Sequence, residues 1–75
     1  MCDPRYLVEI FEEEHPEDYI ARTDWWLNIE DAIAWAKKIS LLGTRYDCRV
    51  MREEGYYEDD GYWIQTKLTE EKDVL

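Results

Sequence analysis

NIEDAIAWAKKISLLG, residues 28–43, is the stretch on which the fold class turns. Asn28 carries a side-chain oxygen suited to cap a first-turn amide, and Asp31, three residues on, suits the positive end of a helix. From Ile29 the apolar residues Ala32, Ile33, Ala36 and Ile39 recur at three- and four-residue spacing, flanked by Trp35 and Leu42. Glu30, Lys37 and Lys38 fall away from that stripe. The late lysines complement the negative end, and Gly43 can terminate the helix in a left-handed conformation. The pattern predicts one amphipathic helix with a single face to bury.

The flanks supply what it packs on. RYLVEIF (5–11) alternates with period two, Tyr6, Val8 and Ile10 against Leu7, Glu9 and Phe11, and reads as a strand. EEEHPED (12–18) reads as a turn because of Pro16 and its charges, and YIART (19–23) as a short strand returning antiparallel. After the helix, TRYDCRVMR (44–52) and GYWIQTKL (61–68) alternate again and form a hairpin, with residues 53–60 as its long tip. In the second of these, Tyr62, Ile64, Thr66 and Leu68 oppose Trp63, Gln65 and Lys67. TEEKDVL (69–75) has no period and reads as a mobile tail. The expectation is one α+β domain over residues 1–75, ordered β-(β)-α-β-β. It has a small antiparallel or mixed sheet of three or four strands with one helix packed on one face. The face without a helix would show Leu7, Phe11, Met51, Trp63 and the Arg45/Arg49 pair.

Composition separates this chain from a disordered acidic one. The charged fraction is 37% and the net charge −10, yet there are four Trp, six Tyr and one Phe, and 45% of residues are hydrophobic. Acidic disordered chains are poor in rings. No apolar run is long enough to span a membrane, and the start, MCDPRYLVEI, lacks a signal-peptide pattern, so a cytoplasmic protein is expected. Cys2 and Cys48 read as reduced thiols rather than a disulfide framework. The acidity exceeds the magnitude of roughly 2–8 that serves solubility in a small domain. Such a field repels nucleic acid and anionic lipid and draws cationic surfaces.

Chemistry-bearing patterns are sparse. His15 is the only histidine and Ser40 the only serine, so no nucleophile–base pair is indicated. Glu12, Glu13, His15, Glu17 and Asp18 lack the central Gly of a calcium loop, and Cys2, Cys48 and His15 lack zinc spacing. No Gly-rich phosphate loop is present. The expectation is a binding protein that is not an enzyme and uses no cofactor and no metal.

EEGYYEDDGYW (53–63) mixes carboxylates with rings more densely than any other stretch of the chain. If the first strand and residues 45–52 run parallel across a right-handed helical crossover, their carboxyl ends lie together. Glu12, Glu13 and Glu14 would then stand beside Glu53, Glu54, Glu58, Asp59 and Asp60 as one acidic edge, with Tyr56 and Tyr57 projecting from it. Rows of carboxylates compare in spacing with duplex phosphates, one per about 1.7 Å of axis. Tyrosines among them add rigid contact area, and Trp63 on the uncovered face is a further candidate anchor. The plainer alternative is a solvated tip whose tyrosines fold back onto the sheet.

In order, YLVEIF, YIART, NIEDAIAWAKKI, GTRYDCRVMRE and GYWIQTKL resemble the layout of short phage-encoded anti-CRISPR proteins of the sheet-plus-one-helix kind. The resemblance spans most of the chain and is one of segment order and residue character, without a diagnostic motif. It implies a stoichiometric inhibitor that acts as a DNA mimic against a CRISPR effector of the Cascade type in the host cytoplasm. The implied partner is a protein with a Lys/Arg-rich nucleic-acid-binding groove. Direct contact with nucleic acid or membrane is not expected, and the inhibitor would be a monomer or weak homodimer. Two other classes stay open: an interaction or dimerisation module using Phe11, Met51 and Trp63, and an RNA-binding sheet using Arg45, Arg49 and Trp63. Net charge opposes the last.

Overall fold

The computed structural model describes residues 3–40, 46–72 and 74–75. Five elements follow in order: β1 (Arg5–Glu12), β2 (His15–Arg22), α1 (Ile29–Ser40), β3 (Tyr46–Tyr57) and β4 (Trp63–Glu70). The strands form one sheet in the order β2-β1-β3-β4, antiparallel at every pairing, and α1 packs on β1 and β3. The α+β class and the β-β-α-β-β order are as the sequence implies.

The helix begins where its cap places it, with Asn28 Oδ1 accepting the Glu30 N–H at 3.1 Å. Ala32 and Ala36 are wholly buried and bring α1 close to Val8, Cys48 and Val50. Ile33, Trp35 and Ile39 pack around that centre, and Trp26 meets Trp35 with ring centroids 6.1 Å apart. Burial of Val8 and Val50 contributes about 1.5–3 kcal/mol each. Tyr6 and Trp26 exchange two backbone hydrogen bonds, 2.8 and 2.7 Å, which tie the chain entering α1 to the start of β1. Leu42, Gly43 and Arg45 lie outside the described residues, as does Cys2.

Three local expectations need correction. β2 starts at His15 rather than Tyr19, leaving a turn of Glu13 and Glu14. Pro16 is tolerated because β2 is an edge strand, where a missing N–H disrupts no ladder. β3 runs on through Glu53, Glu54 and Gly55 to Tyr57, so the β3–β4 tip is only residues 58–62. In β4 the pairings Glu54↔Lys67 and Gly55↔Gln65 leave Thr66 as an extra residue, and its hydroxyl donates to the Glu54 carbonyl at 3.2 Å. That bulge resets the alternation, so Leu68 lies opposite Glu53 on the face of Trp63 rather than with Ile64. β4 also takes in Thr69 and Glu70, and Val74 packs against the core.

The largest correction concerns direction. β1 and β3 are antiparallel, with Arg5↔Glu53 and Glu12↔Tyr46 as the ends of their ladder. The β2 return brings the chain back to the start of β1, and α1, a helix of about 18 Å, carries it to the far end again. β3 then has to run back. Two reversals replace the single crossover, so Glu12–Glu14 and residues 53–60 sit at opposite ends of a molecule 43 Å long. No helix among the described residues is long and apolar enough to cross a membrane.

Candidate functional site

The face away from α1 is covered by its own side chains. Glu9, 3% exposed, accepts Arg22 Nε at 2.7 Å on one oxygen and Arg49 Nε at 2.8 Å on the other. Arg49 also donates from Nη1 to the Pro16 carbonyl at 2.6 Å and lies over the Phe11 ring at 4.9 Å. Arg22 lies over Tyr19 at 4.3 Å. Beside this triad Leu7 and Met51 are buried. A second ionic rung follows, with Arg5 Nε at 2.5 Å from Glu53 Oε1. The Arg5 guanidinium lies 4.0 Å from the Trp63 ring and 5.0 Å from that of Trp25. Hydrogen-bonded charges stacked on rings can be buried where isolated ones cannot.

Trp63 takes its position because residue 55 is glycine. A Cβ there would come within 2.7 Å of the Trp63 ring and 2.2 Å of the Ile64 carbonyl oxygen. From that seat Trp63 meets Tyr57 edge-on, centroids 5.0 Å apart at 69°.

Of the acids read as one edge, few share a surface. Glu53 is 7% exposed and engaged by Arg5. Glu54 pairs with Arg52 at 3.0 Å. Glu13 and Glu14 are exposed at the β1–β2 turn, beside half-buried Glu12, at the end of the molecule remote from the β3–β4 tip. Trp63 is half-buried and Met51 buried.

The β3–β4 tip keeps its candidates together. Glu58 donates its N–H to Tyr62 O at 2.9 Å, and Gly61 donates its own to Glu58 O at 2.8 Å. Gly61 has φ 87°, in the left-handed region that glycine adopts without a Cβ penalty. Asp60 Oδ1 accepts the Tyr62 N–H at 3.2 Å, so that carboxylate stabilises the turn itself. Tyr56, Tyr57, Glu58, Asp59 and Asp60 line one shallow concavity. Tyr56, Tyr57 and Tyr62 are 46%, 52% and 70% exposed, with Tyr57 resting against Trp63 of the sheet and Tyr62 the most open of the three. Among the described residues no Lys or Arg pairs with Glu58, Asp59 or Asp60.

The internal pairs shape the outer charge. Arg5, Arg22, Arg49 and Arg52 engage Glu9, Glu53 and Glu54, so four of the nine Lys and Arg residues are drawn into pairs within the fold, with Glu9 shared by two of them. The negative excess therefore sits on the remaining acids, most densely at the two hairpin ends.

Elsewhere the chemistry is plain. Burial, and secondarily the Asp47 carboxylate, pushes the Cys48 thiol up, away from the reactive thiolate. His15 is exposed, 3.6 Å from Glu17. No group of three His, Cys, Asp or Glu among the described residues is arranged to hold a metal. Sequence reasoning missed Arg5, Arg22 and Trp25 as parts of the open face. For Arg5 the signal was present, since period two sets it with Leu7, Glu9 and Phe11. No family model, curated protein or solved structure matches the chain.

Proposed function

We propose that this is a stoichiometric binding protein whose β3–β4 tip enters a Lys/Arg-lined groove on a protein that handles nucleic acid. Tip carboxylates stand there in place of DNA phosphates. The observation that carries the reading is the meeting, at one hairpin end, of three exposed tyrosines with Glu58 and Asp59, which have no cation among the described residues. Charge sets the sign and speed of encounter, and rings held at the end of a sheet supply contact area at low entropic cost. The layout resemblance makes a Cascade-type CRISPR effector the host complex to try first, with the protein acting as an anti-CRISPR inhibitor of DNA binding. The footprint in this proposal is the tip alone, since Glu12–Glu14 occupy the other end.

The test is competition with duplex DNA for such an effector, followed by fluorescence anisotropy. The parent chain should displace DNA, and the E58K/D59K/D60K variant, checked for folding by circular dichroism, should need at least about tenfold more protein. Reversing Glu12, Glu13 and Glu14 should cost much less. A folded tip variant that competes as well as the parent rules the mechanism out.

A further inference from the structure

On the open face, rings and carboxylates recur together with an arginine filling the space between them. Arg5 lies over Trp63 and pairs with Glu53; Arg22 lies over Tyr19 and pairs with Glu9; Arg49 lies over Phe11 and pairs with the other oxygen of Glu9. Each is a guanidinium carbon set over a ring, with the Nε–H donated to an acid. The β3–β4 tip offers the same two components, Tyr56 and Tyr57 beside Glu58 and Asp59 in one concavity, without the cation. Tyr57 is held by its edge contact with Trp63, and Trp63 is fixed in turn by Gly55 and Arg5. The tip ring is thus preorganised, on a residue that is 52% exposed.

Resting on the docking role of the tip, we infer that it recognises an arginine side chain of the partner protein. The guanidinium plane lies on Tyr57, and its N–H fork meets Glu58 or Asp59. Arginine fits better than lysine because it is planar, weakly hydrated and donates in parallel pairs to carboxylates. Asp60 plays a positioning part, since its oxygen is engaged by Tyr62 N–H. An exposed ring contact of this kind corresponds to about a threefold gain in affinity.

Two peptides of equal length and charge, one alternating Gly and Arg and the other Gly and Lys, are titrated onto the isotope-labelled full chain. Tyr ring and carboxylate signals are followed by NMR. The Gly-Arg peptide should bind about threefold tighter and shift Tyr56, Tyr57, Glu58 and Asp59. Tyr57→Leu should erase the preference, and Tyr57→Phe should retain it. Equal affinities, a preference that survives Tyr57→Leu, or shifts centred away from the tip would overturn the arginine assignment. Those outcomes leave the DNA competition result untouched. A charge-reversed tip that still competes would instead remove the docking role itself.

Discussion

Under α1, β1 and β3 bury Val8, Cys48 and Val50 against two alanines; on the reverse of the same strands they bury Glu9 and Glu53 among arginines and rings. The apolar face excludes water by close packing with a second layer. The charged face has no second layer, so it builds one from long side chains, arginines paired with acids and set over rings. Arginine serves this purpose because it can pair, stack and cover apolar surface at once. A chain of 75 residues, with one helix among those described, can in this way cover both sides of its sheet. The cost is dependence on partners: a methyl group buried alone is favourable, whereas a buried charge alone is not.

That contrast sets the scale of the expected losses. Glu9→Ala leaves Arg22 and Arg49 facing each other and should destabilise most, by about 3 kcal/mol, the low end for breaking a buried pair because Arg22 is partly solvated. Urea denaturation measures it, and a loss below about 1 kcal/mol would mean that solvent already screens the triad. Val50→Ala on the helix face should cost about 2 kcal/mol from lost burial and the cavity left behind. That cost should not vary with salt. The smallest effect is the coupling between Arg5 and Trp63. A double-mutant cycle with Arg5→Met and Trp63→Leu should give about 1 kcal/mol, and additive single losses would show that the stacking contributes nothing.

The same contrast explains what could be read in advance. Period two in β1 and β3, and the spacing of Ala32, Ile33, Ala36 and Ile39, identify the apolar face because each residue there reports its own burial. The charged face stays hidden because Glu9 and Glu53 look solvent-facing until their partners are known. Glu9 meets Arg49 forty residues away, and Arg5 meets Glu53 at a separation of forty-eight. Glu53, Glu54 and Gly55 read as a loop for the same reason, although Arg5, Arg52 and the Trp63 ring hold them in a strand. Alternation also says which face a residue takes but not which way its strand runs. Alternation therefore allows the acidic clusters to lie together, whereas antiparallel pairing sends them to opposite ends. The tip residues from Tyr56 to Asp60 were legible as a group because they are contiguous in the chain.

Because β1 and β3 meet only through the centre of the sheet, their alignment is the slow decision in folding. Each outer hairpin closes through a short turn on the microsecond scale, whereas the central ladder must close a loop of some forty residues. A slip of two residues would keep the apolar side chains facing α1 and so pass unnoticed by that face. In one direction, however, it sets Glu9 against Asp47 and Arg5 against Met51, and in the other Glu9 against Met51 and Arg5 against Gly55. Either slip strands charges without counterions. The ionic rungs thus select the one alignment that oil-like packing would leave ambiguous.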